Sequence, residues 1–284
     1  MSQSRGREIK LRASTAHLPT KDLFRLDEQT ILITGGGGSV GLEVATSVLE
    51  SGGDVVCVDR AERPLEEPWA KVQQLAEQHK TQVWYYMCDI TNADAVHELF
   101  ETATTKTRYP LKGLVTCAGI SGEGPTVDFS VAQVRNIMDI NVMGTFICAQ
   151  AAAKEMIKHN VTGSMVFVAS MSAHGSNKGV DTTAYNTSKS AVLQMARSMA
   201  AEWGSRIGYP TIRVNSISPG YIKTRLTSGS LSEPNREKEW SEDNMLNRLS
   251  TADEFRGPIM FLLSEASSFV TGADLRADGG HTAW

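Results

Sequence analysis

Tyr185 and Lys189 lie four residues apart in the stretch 183–203, whose residue pattern predicts a helix. Residues at this spacing project from one face of a helix, so the phenol and the ammonium would be neighbours. An unperturbed tyrosine has a pKa of ~10, but a neighbouring ammonium favours the phenolate and lowers that pKa. The spacing therefore predicts a tyrosine that transfers protons near neutral pH, the alternative being an ordinary surface pair.

A glycine-rich turn at 35–41, with the sequence GGGGSVG, separates a predicted strand at 30–34 from a predicted helix at 42–49. Glycine permits positive φ and close approach of the backbone to a pyrophosphate, whose charge the N-terminus of a helix favours. Asp59 ends the second predicted strand, where its carboxylate suits the hydroxyl pair of a ribose. The turn and the acid together predict a dinucleotide site, with Gly35, Ser39, Val40 and Gly41 as phosphate contacts.

Asp59 and Arg60 give opposite indications about the dinucleotide. The carboxylate of Asp59 would repel a 2′-phosphate and favours NAD(H), whereas the Arg60 guanidinium can pair with that phosphate and leaves NADP(H) open. We expect NAD(P)(H), with a modest preference for NAD(H).

Short β-branched runs alternate with longer helical patterns from residue 30 onward, which is typical of βαβ units. The predicted strands are 30–34, 54–58, 82–88, 113–117, 164–169, 211–216 and 272–275, and the helices begin near Ser39, Glu67, Asn92, Ser130, Thr183 and Thr251. The fold class is therefore α/β, a single doubly wound Rossmann-type domain whose seven-stranded parallel sheet has helices on both faces. The charged, Ser-rich segment at about 221–247 interrupts this alternation and is predicted to be a substrate lid.

The composition excludes several classes of protein. A net charge of -4 and a hydrophobic fraction of 41% argue against nucleic-acid binding, intrinsic disorder and a fibrous protein. Four scattered cysteines and six histidines show no metal-ligand spacing, so we expect no metal. No apolar run is long enough to span a bilayer, which predicts a cytoplasmic protein without a membrane partner. Residues 1–29 are predicted to form a loosely packed arm, with a basic organellar signal as the alternative.

Eight short motifs occur in register from residue 30 to the end of the chain. They are Thr34-Gly35-x-x-x-Ser39-x-Gly41, Asp89, Cys117-Ala118-Gly119, Asn141, Ser172, Tyr185-x-x-x-Lys189, Pro219-Gly220 and Asp278-Gly279-Gly280. In order and spacing they resemble the short-chain dehydrogenase/reductase family.

The resemblance implies a catalytic tetrad of Asn141, Ser172, Tyr185 and Lys189. Tyr185 would pass the proton, Ser172 would polarise the reacting oxygen, Lys189 would bind the nicotinamide ribose, and Asn141 would help to hold a relay water. The reaction implied is direct hydride transfer between NAD(P)(H) and a ketone or secondary alcohol.

Further cofactor contacts follow from the same resemblance, around the adenine, at the fourth strand and along the nicotinamide. They are Asp89, Ile90, Cys117, Ala118, Gly119, Pro219, Gly220, Ile222 and Thr224. Two positions depart from the family pattern: Ser39 replaces a usual glycine of the turn, and Cys117 replaces a usual asparagine.

The residues 59–69, the segment 240–248 and the C-terminal sequence GGHTAW are similar to fungal polyol and ketose reductases, such as sorbose and arabinitol enzymes. A ketose or polyol substrate is therefore expected. A biosynthetic ketone or imine reductase of fungal secondary metabolism is the first alternative, and a non-catalytic dinucleotide-binding sensor or scaffold is the second. The family also implies a homodimer or homotetramer.

Overall fold

The computed structural model describes residues 18–284, so the basic residues of the predicted organellar signal that precede residue 18 lie outside the described range. Seven strands form one sheet in which every neighbouring pair is parallel, in the order β3-β2-β1-β4-β5-β6-β7. The strands are β1 (Thr30–Thr34), β2 (Asp54–Asp59), β3 (Val83–Met87), β4 (Leu111–Thr116), β5 (Gly163–Val168), β6 (Ile212–Pro219) and β7 (Asp274–Ala277). The predicted doubly wound α/β fold is confirmed.

Helices cover both faces of this sheet. They are α1 (Ser39–Glu50), α2 (Glu66–His79), α3 (Ala93–Lys106), α4 (Val131–Met138), α5 (Thr145–Lys158), α6 (Thr183–Trp203), α7 (Ser228–Leu231), α8 (Arg236–Glu242) and α9 (Arg256–Leu263). The single helix predicted from Ser130 is interrupted by a π-helical turn, Asp139–Gly144, which separates α4 from α5. The short helices α7 and α8 lie in the segment 221–247, which is predicted to be a substrate lid, with a long solvated loop as the alternative.

Alternate residues of the central strands pack into two different cores. Leu32 of β1 joins the cluster that contains residues of α3, α5 and α6, whereas Ile31 and Ile33 join the cluster of α1 and α9. Because side chains alternate across a strand, a strand buried on both faces is apolar at nearly every position. This explains the unbroken apolar runs in the sequence.

The strand order reverses at β1, which lies between β2 and β4. Helices leave opposite faces of the sheet on the two sides of such a point, so a crevice opens beyond the carboxyl ends of the strands. The glycine-rich turn and the end of β4 both lie at this crevice.

The described end of the predicted arm packs more closely than expected. Leu26 is fully buried against the α1 core, and its amide donates to the carbonyl oxygen of Ser51 over 2.9 Å. The amide of Ala266 donates to the carbonyl oxygen of Leu23 over 3.2 Å. This part of the arm is therefore fixed to the body, because an apolar side chain in the run before β1 finds a place beside α1. Among residues 18–284, no helix is both long enough and apolar enough to cross a membrane.

Candidate active site

The glycine-rich turn is packed against the end of β4. Gly35 has a φ of +65°, and a Cβ built on it would lie 2.7 Å from the backbone nitrogen of Ala118. A Cβ on Gly41 would overlap the carbonyl oxygen of Gly35. Both positions therefore require glycine, the first for its conformation and the second for its close contact.

The N-terminus of α1 offers free amides at this turn. Gly38 is the N-cap residue, and no side chain of the described range bonds to the first-turn amides. Ser39 begins the helix and does not have a positive φ. The replacement of the usual glycine by Ser39 is therefore accommodated in a right-handed conformation. The orphan N–H groups and the helix dipole make this end suitable for an anion such as a pyrophosphate.

Asp59 is held at the end of β2 by the glycine-rich turn. Its Oδ2 accepts from the amide of Gly37 over 3.1 Å, and its Oδ1 accepts from the amide of Ala61 over 3.2 Å. The carboxylate therefore lies beside the turn where an adenosine ribose would approach.

Asp89 and Arg60 lie near each other, Asp89 just after the end of β3 and Arg60 just after the end of β2. Thr91 donates to Asp89 Oδ1 from its amide over 2.9 Å and from its hydroxyl over 2.8 Å. These bonds, and to a smaller extent the charge of Arg60, hold the pKa of Asp89 below its ordinary value. Ile90 is buried, and its Cδ1 lies 2.5 Å from the position of a Cβ built on Gly144, so its side chain packs into the protein core.

The end of β4 lies close to Lys189. The amide of Cys117 donates to the carbonyl oxygen of Thr34 over 3.0 Å, which continues the pairing of β1 with β4. Burial raises the pKa of the Cys117 thiol to about 12, so this thiol is neutral at physiological pH. A Cβ on Gly119 would lie 3.5 Å from Lys189 Nζ, so glycine leaves room for the ammonium.

Lys189 is a buried residue of α6, about one turn after Tyr185. Its Nζ donates to the carbonyl oxygen of Val168 over 2.8 Å and lies 5.8 Å from the centre of the Tyr185 ring. Burial lowers the pKa of Lys189 to about 8. The ammonium is therefore charged at neutral pH and titrates within the range of an ordinary enzyme assay.

Tyr185 shows the opposite shift from the one expected. Burial raises the pKa of its phenol, and a hydrogen bond with the Ser170 side chain acts against this rise. Loss of water around the phenolate outweighs the stabilisation by this hydrogen bond. The phenol is consequently protonated at neutral pH and is suited to donate a proton.

Ser170, and not Ser172, is the serine that the structure brings to Tyr185. Ser170 follows β5, and its Oγ accepts from the amide of Ser172 over 3.1 Å. Ser172 is itself buried in a short 3₁₀ turn, Met171–Ala173. The resemblance assigned the role to Ser172 by its spacing from Tyr185. Ser170 lies closer to the end of β5, and this position in the chain would have indicated Ser170 instead.

Asn141 occupies the π-helical turn between α4 and α5 and is fully buried. Its Nδ2 donates to the carbonyl oxygen of Ile120 and to Ser188 Oγ, and its Oδ1 accepts from the amide of Ile120, each over 2.9 Å. π-Helical turns of this kind are frequent at functional sites. Asn141 therefore ties the chain after β4 to the helix that carries Tyr185 and Lys189.

The segment after β6 forms a tight turn beside β7. Pro219 ends β6, and the amide of Gly220 donates to the carbonyl oxygen of Ala277 over 3.0 Å. The Thr227 hydroxyl donates to the carbonyl oxygen of Ile222 over 2.5 Å and accepts from the amide of Thr224 over 3.1 Å. Thr227 therefore shapes the segment that was predicted to border the nicotinamide.

The predicted lid, residues 221–247, is fixed by an aromatic stack. The rings of Tyr221 and Trp240 are parallel, with centroids 3.8 Å apart, and Asn177 Nδ2 donates to the Tyr221 hydroxyl over 3.2 Å. Ser230 Oγ donates to Glu123 over 3.2 Å. The lid thereby contacts two loops, one after β4 and one before α6.

Unsatisfied polar atoms are concentrated around this stack. Five buried side-chain polar atoms of the described range lack a hydrogen-bond partner, and four of them lie on residues near Tyr221. Those four are Asn177 Oδ1, Arg236 Nε, Trp240 Nε1 and His281 Nδ1. The lid therefore holds, beside its aromatic stack, polar side-chain atoms whose hydrogen-bonding capacity no protein group of the described range uses.

Known proteins share both the sequence and the fold. A family described as Enoyl-(Acyl carrier protein) reductase matches residues 36–282. The chain is 54% identical to the short chain dehydrogenases/reductase notP' of Aspergillus versicolor, over 98% of this chain and 95% of that protein. It is 34% identical to a ribulose-forming D-arabinitol 2-dehydrogenase of Candida tropicalis, over 92% and 95% respectively. The solved structure of an NADPH-dependent 3-quinuclidinone reductase from Rhodotorula rubra matches with a TM-score of 0.85 and 29% identity, over 97% and 100%.

Proposed function

The chain belongs to the short-chain dehydrogenase/reductase family and is an NAD(P)-dependent oxidoreductase acting on CH–OH groups, and we propose that it interconverts a ketone and a secondary alcohol. The observation that carries this proposal is the arrangement around Tyr185, whose ring centre lies 5.8 Å from Lys189 Nζ and whose hydroxyl bonds with the Ser170 side chain. A protonated phenol can donate to the oxygen of a carbonyl as that oxygen gains negative charge.

The residues of the crevice fit a nicotinamide dinucleotide. The uncapped N-terminus of α1 suits the pyrophosphate, and Asp59 suits the ribose of the adenosine half. Lys189 and the segment from Pro219 to Thr224 would hold the nicotinamide half. When bound, the dinucleotide supplies or accepts the hydride.

Each residue of the chain then has a separate task. Tyr185 donates the proton, and Ser170 donates a hydrogen bond to the same substrate oxygen, the role that spacing assigned to Ser172. Lys189 keeps a positive charge beside the phenol and stabilises it as it loses its proton. Asn141 holds the backbone of Ile120 and the α6 helix in register.

NAD(H) is the proposed partner in preference to NADP(H). The carboxylate of Asp59 lies beside the glycine-rich turn, where it would accept from ribose hydroxyls and repel a 2′-phosphate. Arg60 is the residue that favours NADP(H), but its charge lies near Asp89.

The substrate class has two candidates. A ketose or polyol is supported by similarity to the D-arabinitol 2-dehydrogenase. A bulkier ketone or imine of fungal secondary metabolism is supported by the higher identity to the notP' protein. We propose that 221–247 closes over the substrate in either case.

The experiment is a titration of the purified protein with NADH and NADPH, followed by turnover of ketoses and of bulky cyclic ketones. Tighter NADH binding with reduction of sorbose, xylulose or ribulose would support the first candidate. Turnover of cyclic ketones with no turnover of sugars would support the second. If the protein binds the dinucleotide tightly but reduces none of these carbonyl compounds, the proposal of carbonyl reduction is contradicted.

A homodimer or homotetramer is proposed from exposed apolar side chains on α4 and in the helical stretch that follows it. Val131, Met143 and Phe146 are between 39% and 62% exposed. Apolar surface of this kind is typical of a buried interface. Sedimentation equilibrium would measure the number of subunits.

A cytoplasmic location is proposed from the four cysteines, which are all free. A fluorescent fusion of the protein would test this location.

A further inference from the structure

A partly buried polar network joins the turn after β5 to the edge of the sheet. His174 Nε2 lies 2.8 Å from Asp274 Oδ2 and 3.2 Å from Ser218 Oγ. Asp274 Oδ1 accepts from Ser216 Oγ over 2.6 Å and from Ser218 Oγ over 3.0 Å. One side chain of the turn is therefore held by residues of both β6 and β7.

The network replaces apolar packing at the end of β6 nearest the active site. Ser216 and Ser218 are buried, and the Asp274 side chain is only 9% exposed. Ile212 and Val214 precede them at alternate positions, so all four face α6, with which the two apolar residues share a core. A buried carboxylate is costly unless hydrogen bonds satisfy it, and apolar residues would pack here without that requirement.

The turn that His174 ends also carries the serine of the active site. The amide of His174 donates to the carbonyl oxygen of Met171, and that of Ala173 to the carbonyl oxygen of Ser170, each over 2.9 Å. Ser190 Oγ of α6 donates to the carbonyl oxygen of Ala173 over 3.0 Å. Displacement of the His174 ring would therefore move a short, tightly bonded turn whose first residue is Ser170.

We propose that His174 is a positioning residue, which holds Ser170 against Tyr185 through its bond to Asp274. The inference rests on the proposed role of Ser170. The His174 ring is directed to β6 and β7, where it contacts Ser218 and Asp274. His174 touches neither substrate nor dinucleotide in this assignment and acts on the reaction through the turn.

The chemistry of the ring fits this hydrogen bond. In one tautomer of the imidazole, Nε2 carries the proton and can donate it to the Asp274 carboxylate over the observed 2.8 Å. A leucine has similar bulk but no donor, whereas a glutamine places an amide N–H near the position of Nε2. These two substitutions therefore separate packing from hydrogen bonding.

The test compares His174→Leu, His174→Gln and Ser170→Ala with wild type, and uses His97→Leu on α3 as the matched control. We expect His174→Leu to lower kcat about 10- to 100-fold, with the Kd of NADH and the KM of the carbonyl little changed. His174→Gln is expected to restore most of kcat, and His97→Leu to have no effect. The double variant of His174→Leu and Ser170→Ala should be no slower than Ser170→Ala alone.

A second measurement, the pH–rate profile, reports on proton transfer by Tyr185. The Ser170 bond lowers the pKa of Tyr185, so its loss should shift the pH–rate profile of alcohol oxidation to higher pH in both His174→Leu and Ser170→Ala. Lys189, the charged group facing Tyr185 on α6, is the same in each variant. If His174→Leu does not fold, His174→Asn, which is too short to reach Asp274, takes its place.

Three outcomes would overturn the inference. They are wild-type kcat in the Leu or Asn variant, no rescue by glutamine, and effects that multiply in the double variant, which would mean that His174 acts independently of Ser170. Full activity of Ser170→Ala together with an inactive Tyr185→Phe would contradict the serine role itself, so the two failures are distinguishable.

Discussion

The glycine-rich turn and the predicted lid face the same crevice but are held in different ways. The turn is fixed by backbone contacts, where Gly35 and Gly41 leave no room for a side chain. The lid is fixed by side chains, chiefly the Tyr221–Trp240 stack, and it encloses polar atoms without partners.

This difference indicates that the two regions have separate functions, cofactor binding in the turn and substrate access in the lid. Contacts made by backbone atoms do not depend on the identity of the side chains. The glycine-rich turn therefore suits a ligand whose structure does not vary, such as a dinucleotide. Side-chain contacts change with every substitution, so the lid suits a part that varies with substrate. We therefore expect chemistry and cofactor choice to depend on the first region and substrate access to depend on the second.

The largest effect is expected for Tyr185→Phe. Removal of the phenol hydroxyl eliminates the proton donor, and we expect kcat for ketone reduction to fall about 10²- to 10⁴-fold with unchanged NADH affinity. Steady-state kinetics and fluorescence titration measure the two quantities. Tyr109→Phe, outside the crevice, is the control, and equal loss in both variants would contradict the assignment.

Asp59→Ser should change cofactor preference without changing the chemical step. Loss of the carboxylate removes the repulsion of a 2′-phosphate and the acceptors for the ribose hydroxyls. We expect the ratio of kcat/KM for NADH to that for NADPH to fall about 10- to 100-fold. Glu62→Ser, on the exposed loop beyond β2, should leave the ratio unchanged. An unchanged ratio in Asp59→Ser would assign cofactor choice to another residue.

The pH dependence of ketone reduction should follow Lys189. Its pKa is lowered to about 8 by burial, so the ammonium is present below that pH and is lost above it. Tyr185 stays protonated in the same range, because its pKa is raised. We therefore expect kcat at pH 9 to be about tenfold below kcat at pH 7. A profile that stays flat to pH 10 would mean that the charge of Lys189 is not needed.

The smallest effect is expected in the lid. Trp240→Ala removes the stack on Tyr221 and should raise the KM of the carbonyl a few-fold and speed proteolysis within 221–247, with NADH affinity unchanged. Trp240→Phe keeps an aromatic ring and removes the unsatisfied indole N–H, so proteolysis should be no faster than in wild type. Faster cleavage in Trp240→Phe than in Trp240→Ala would contradict this account of the lid.

Sequence patterns predicted the sheet well because each buried strand is a short apolar run bounded by glycine or polar residues. Strand β1 has the predicted limits, and the others differ by a few residues. The π-helical turn at Asn141 was not predicted, since one inserted residue hardly alters a helical pattern. Ser170 and Ser172 are separated by one residue, and only the path of the chain after β5 distinguishes them. The aromatic stack joins residues 19 positions apart in a segment without periodicity, so no local pattern indicates it.

The position of β1 between β2 and β4 has a consequence for how the chain folds. Thr30 pairs with Asp54 on one side but with Leu111 on the other, so one edge of β1 remains open until some eighty further residues have been synthesised. Parallel pairings of such long sequence separation form slowly, and an unpaired apolar strand can associate with other chains. A nascent chain that stops before Leu111 would therefore expose the most buried strand of the protein. Completion of β4 is the step after which the growing chain is protected from aggregation.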